Sequence, residues 1–106
     1  MEPKDFLTGI AWNAFHTAQK RRKTPKNLYD GIAYIQEEIG EVIRETKPHY
    51  YSIDSYGHSK PEGYLTEIGD IVIAALSLLK WACEDTEKTP GEIIFEKMSY
   101  NYTLED

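Results

Sequence analysis

Glu67 and Asp70 sit three residues apart and run directly into residues 71–79, apolar at every position except Ser77. Carboxylates are among the costliest side chains to place beside a core, so such a segment must fold where something compensates the charge. A divalent cation would do so. The same unit occurs 29 positions earlier, where Glu38-Ile-Gly-Glu41 is followed by Val42 and Ile43. The repeat predicts that the two segments face each other and hold divalent cations.

Spacing alone is weak support. Acids separated by three positions occur at Glu2/Asp5, Glu38/Glu41, Glu67/Asp70 and Glu84/Glu87, about what chance supplies for 18 acids in 106 residues. Position says more. The first and last pairs fall near expected helix ends, whereas the middle two lie inside helices, against apolar seams, and each encloses a glycine (Gly40 and Gly69). Glycine inside a helix costs roughly 1 kcal/mol relative to alanine, so two at equivalent places suggest close helix approach or space beside a ligand. Four converging carboxylates would repel one another or take up protons. Hard oxygen donors without histidine or cysteine favour Mg²⁺ or Mn²⁺. A di-iron site would call for Glu-x-x-His, and neither Glu38 nor Glu67 has a histidine three residues on.

The hydrophobic period is helical throughout. Phe6, Leu7, Ile10, Ala14, Phe15 and Ala18 outline a first helix over 5–22, with Pro3 near its start. Trp12 and His16 pair at i,i+4 on another face, suited to packing or to stacking on a nucleobase. The helix ends in the cations Lys20, Arg21, Arg22 and Lys23, which complement a helix C-terminus or meet phosphate. A second helix, over 27–46, carries Leu28, Ile32, Ile35, Ile39 and Val42 within an arc of about 80°; Glu38 and Glu41 flank that arc and Glu37 points further toward solvent. Residues 47–60 contain Pro48, three tyrosines (Tyr50, Tyr51 and Tyr56), and His49 and His58, which lack the spacing of a local metal pair; they break the pattern and suggest a lid, a subunit contact or a hairpin.

A third helix runs from near Pro61 to about Glu84 and is apolar almost all round from Ile68 to Ala82. So short a chain has few helices with which to surround it, which predicts oligomerisation. Thr89-Pro90-Gly91-Glu92 reads as a capping box opening a fourth helix with Ile93, Ile94, Phe95, Met98 and Tyr102. The expected fold is all-α: a four-helix bundle completed by oligomerisation, in one domain over 1–106.

A net charge of −6 argues against DNA, RNA or anionic membranes as partners. Cys83 is the single cysteine, so it has no disulfide partner and is expected in the core. No signal layout or bilayer-length apolar run is present, so a cytoplasmic location is expected.

At the acidic residues the chain resembles the MazG-like, all-α nucleoside triphosphate pyrophosphohydrolases. Their signature, Glu-Glu-x-x-Glu and later Glu-x-x-Asp, reads here as Glu37-Glu38-Ile-Gly-Glu41 and Glu67-Ile-Gly-Asp70. Pro25-Lys-Asn-Leu28 is similar to the Pro-Arg-Asn-Leu that opens the corresponding helix in related deoxynucleotide pyrophosphatases, and Lys97 with Asn101 resembles a Lys-x-x-x-Asn motif of the last helix. The resemblance implies Mg²⁺ or Mn²⁺ on Glu38, Glu41, Glu67 and Asp70, and hydrolysis of a nucleoside triphosphate to the monophosphate and pyrophosphate. It implies catalytic roles for Glu37, Glu38 and Glu41, with Glu37 orienting or deprotonating the water, and substrate contacts from Asn27, Lys97 and Asn101. It also implies a homodimer or a dimer of dimers. Leu104 stands where family members often carry arginine. That departure leaves a second reading, a catalytically silent bundle binding a nucleotide or a protein. A third is a structural bundle whose acids are merely solvated.

Overall fold

The structure, a computed structural model, describes residues 2–51 and 61–104, with side chains over 2–43 and 65–104. These residues are all-helical and contain four helices: α1 (Pro3–Lys20), α2 (Leu28–Tyr51), α3 (Pro61–Cys83) and α4 (Pro90–Thr103). They contain no strand, and none of their helices is long and apolar enough to cross a membrane. The expected lid or hairpin over 47–60 lies mostly outside the described residues.

The chain divides into two compact units, one formed by residues 1–25 with 76–106 and the other by 26–75. In the first, α1 packs on α4. The contact is close because α4 opens on Pro90 and Gly91, both buried. The Gly91 N–H donates to Thr8 Oγ1 at 2.9 Å, and the same hydroxyl donates to the Lys4 carbonyl at 3.0 Å. The capping box forms as the sequence predicts: the Glu92 N–H donates to Thr89 Oγ1 at 3.2 Å and the Thr89 N–H to Glu92 Oε1 at 3.0 Å. This side chain–backbone exchange satisfies two donors that a helix start leaves unpaired.

The buried face of α1 is Ala11, Ala14 and Phe15, rotated from the expected stripe, for Phe6 and Ile10 are exposed. Ala11 is fully buried because a methyl group fits where helices approach closely. Leu76, Ser77, Lys80 and Cys83 from the end of α3 complete the buried set of this unit. Lys80 is a buried cation whose ammonium lies 4.1 Å from the Trp12 ring centroid, 5.0 Å from that of Phe15 and 3.6 Å from Glu84. His16 stacks on Trp12 at 4.9 Å. The indole therefore already has one stacked ring and one cation against it, which favours packing over base stacking as its role.

Two helix ends differ from the sequence expectation. α1 stops at Lys20, where Lys23 N–H bonds to the Ala18 carbonyl at 2.8 Å and Arg22 N–H to Gln19 at 3.0 Å. This reverse turn puts Arg22 at φ 56°, the left-handed position that glycine usually fills. Arg22→Gly is expected to raise stability by about 1 kcal/mol by removing the Cβ penalty, read as a higher denaturation midpoint. α2 continues past Pro48 to Tyr51 instead of ending near residue 46. Proline removes one ladder hydrogen bond but its fixed φ is helical, so a helix can pass through it at a cost near ~3 kcal/mol.

Candidate metal centre

The second unit carries all four predicted ligands, on two helices. α2 starts on Asn27, whose Oδ1 accepts the Asp30 N–H at 2.8 Å, while Asp30 Oδ2 accepts the Lys26 N–H at 3.1 Å. Asn27, expected at the substrate, thus spends its carbonyl oxygen on fixing the start of the helix. Three turns on, α2 presents Glu38, which is buried, and Glu41, which is half-buried. α3 presents Glu67 and Asp70, both half-buried.

One carboxylate oxygen from each of Glu38, Glu67 and Asp70 lies within 4.8 Å of the others. Oxygens sharing one octahedral ion at about 2.1 Å stand about 3 Å apart as neighbours and about 4.2 Å apart across it, so the three side chains would have to close inward by up to about 2 Å to hold one Mg²⁺. Glu41 adjoins this trio, its carboxyl within hydrogen-bonding reach of Glu67. Glu38 Oε2 and Glu67 Oε2 are buried without a hydrogen-bond partner. A buried carboxylate oxygen with no partner carries its full desolvation cost, and a hard cation is the ligand that removes it. The donor set therefore fits Mg²⁺ or Mn²⁺.

The acids also disturb one another's titration. Burial pushes the Glu38 carboxyl above its ordinary range, with the charges of Glu41 and Asp70 adding to the rise and a Tyr34 hydrogen bond opposing it. The hydrogen bond with Glu41 raises Glu67 most, followed by burial and by the charges of Glu41, Asp70 and Glu38. A carboxyl raised in the folded state binds protons more tightly than in the unfolded chain. Without metal, stability should therefore increase as pH falls from neutral through the raised values of Glu38 and Glu67, and level off below the ordinary range of glutamate. Bound Mg²⁺ needs the same groups ionised, so its effect has the opposite slope. At ten times its Kd, Mg²⁺ should add about 1.4 kcal/mol at pH 7.5, a rise of roughly 5–10 °C in Tm. That rise should shrink toward pH 5. A Tm indifferent to Mg²⁺ and Mn²⁺ at both pH values would leave the acids merely solvated.

The remaining predicted residues are not members of the trio. Glu37 is exposed on α2, on the open helix face it shares with Ala33, Gln36, Gly40 and Glu41. Lys97 and Asn101 are exposed on α4, in the other unit, where the Lys97 ammonium lies 4.9 Å from the Tyr100 ring. Neither Gln36 nor Tyr34 is singled out by the sequence. Their only signal is helical: Tyr34 is one turn before Glu38, and 33, 36, 37, 40 and 41 share one face.

Gly69 does not mark a close helix approach, since a Cβ there would meet nothing within 4 Å. Comparison with protein-family models, curated proteins and solved structures found no match.

Proposed function

We propose that this chain is a Mg²⁺-dependent nucleoside triphosphate pyrophosphohydrolase of the MazG-like kind. The observation that carries the reading is the meeting of Glu38, Glu67 and Asp70 from two helices, with two buried carboxylate oxygens lacking any partner. Glu38, Glu41, Glu67 and Asp70 would hold the ion. When bound, the ion neutralises the phosphates and lowers the pKa of a coordinated water. The net reaction adds water across the α–β anhydride and releases a nucleoside monophosphate and pyrophosphate. Glu37, on the same helix face as Glu41, would orient that water or accept its proton.

The same reading includes assembly into a homodimer or a dimer of dimers. Leu28, Ile32, Ile39 and Ile43 on α2 are each more than a third exposed, as are Leu65, Ile68, Val72 and Ile73 on α3. The α2 seam that the sequence places in a core is thus largely exposed in the single chain. Apolar exposure on this scale is characteristic of a protein interface.

A panel of ribo- and deoxyribonucleoside triphosphates incubated with Mg²⁺ tests the activity directly. Release of pyrophosphate with monophosphate is the expected result. Release of inorganic phosphate with diphosphate, or no turnover of any member, would overturn it.

A further inference from the structure

The acidic cluster has a polar neighbour, Tyr34, that the hydrolysis just described does not use. We propose that Tyr34 is the positioning residue for Glu38: its hydroxyl holds one carboxylate oxygen and leaves the other, Oε2, for the divalent cation. The inference rests on the metal reading above and assigns a further residue to that site.

The placement follows from the helix. Tyr34 lies four residues before Glu38 on α2, so their Cβ atoms stand about 5–6 Å apart on one face. Helical side chains lean toward the N-terminus, which carries Glu38 back over the turn that bears Tyr34. Tyr34 is 37% exposed and Glu38 only 8%, so the tyrosine stands at the rim and the acid inside it. The Tyr34 hydroxyl donates to the Glu38 carboxylate. Oε2 of Glu38 is buried without a partner, so that bond falls on Oε1.

Donor chemistry sets this contact apart from the others in the cluster. The remaining side-chain hydrogen bonds of Glu38 and Glu67 run to Glu41. Two carboxyls bond to each other only by sharing a proton, and a cation that needs them ionised displaces it. A phenol O–H donates to an ionised carboxylate without giving up its proton, so the Tyr34 contact survives metal binding. Lys26 is the only cation among the described side chains of this unit, and it lies about three turns before Glu38. Orientation of Glu38 therefore falls to a neutral donor, and one turn away the helix supplies a tyrosine.

Calorimetric Mn²⁺ binding at one fixed pH tests the assignment with Tyr34→Phe, which removes the hydroxyl and keeps the ring. Groups that orient a metal ligand are worth about 10- to 100-fold in affinity, so the Kd should rise at least about tenfold. Tyr34→Leu should lose about as much, whereas Tyr29→Phe, at an 82% exposed position on the same helix, should stay within about twofold. If Tyr34 only packs, Tyr34→Phe keeps the affinity and Tyr34→Leu loses it, which overturns the inference. The Mg²⁺ concentration that half-activates pyrophosphate release should rise with the Kd, while the rate at saturating Mg²⁺ stays within about threefold. A rate still depressed at saturation would put Tyr34 in the chemical step and overturn its positioning role. So would an affinity loss that Tyr29→Phe shares, or one that comes with a fall of about 10 °C in the metal-free Tm. Each of these results leaves the metal reading standing. Absence of Mn²⁺ binding by the unaltered protein would remove the metal reading and this inference together.

Discussion

Asp70→Asn, or Glu41→Gln, is expected to lower pyrophosphate release by about a hundredfold or more while the helices remain intact. Each amide keeps the shape of the acid and removes its charge. Asp70 supplies one of the three converging oxygens, and Glu41 adjoins them through Glu67. Even groups that only orient a metal ligand are worth about 10- to 100-fold, so losing a ligand should cost at least the upper figure. The effect on stability has the opposite sign. Asp70 raises the carboxyls of both Glu38 and Glu67 by repulsion, so Asp70→Asn should leave the metal-free protein as stable as before, or more so. Its Tm should no longer rise with Mg²⁺. Thermal melts with and without Mg²⁺, beside a pyrophosphate assay, separate loss of the site from loss of the fold. Full activity in both variants would remove these acids from the chemistry.

Gly91→Ala should be strongly destabilising, although alanine is ordinarily the better helix residue by about 1 kcal/mol. A Cβ on Gly91 would run into the Lys4 carbonyl and stand 2.6 Å from Thr8 Oγ1. Neither atom is free to withdraw. The carbonyl belongs to the first turns of α1 and accepts from Thr8, and that hydroxyl accepts the Gly91 N–H. The helices must therefore separate, at a cost of about 1–3 kcal/mol for overpacking, or roughly 10 °C in Tm. Gly69→Ala is the control, for open space there predicts a gain of up to about 1 kcal/mol in the single chain. Chemical or thermal denaturation of the two variants should give shifts of opposite sign. An unchanged or raised melting point for Gly91→Ala would show that α1 and α4 do not meet in this way.

These two glycines show how unevenly the structure is legible. In sequence, Gly69 looks the more informative, being enclosed by two acids that repeat a unit at Gly40. Gly91 reads only as part of a helix start. Packing reverses their weight, because what a glycine avoids depends on the atoms opposite it, and those come from residues about 80 positions away. The stripe on α1 shows the same limit. Period alone favours the bulky Ile10, but close approach to a neighbour buries the small Ala11 and leaves Ile10 exposed.

Features governed by near neighbours along the chain follow from the residues alone. The all-helical character, the capping box at Thr89 and Glu92, the stacking of Trp12 on His16 one turn away and the burial of Cys83 belong to that group. So does the choice of Glu38, Glu41, Glu67 and Asp70 as candidates, since a repeated acid unit against an apolar seam is visible without coordinates. Only the tertiary structure decided that one oxygen from each of Glu38, Glu67 and Asp70 converges within 4.8 Å, and that Glu38 and Glu67 each bury an oxygen without a partner. The physical reason is that helical period fixes the direction of a side chain about its own axis. Desolvation and charge repulsion depend on what a second helix brings to it.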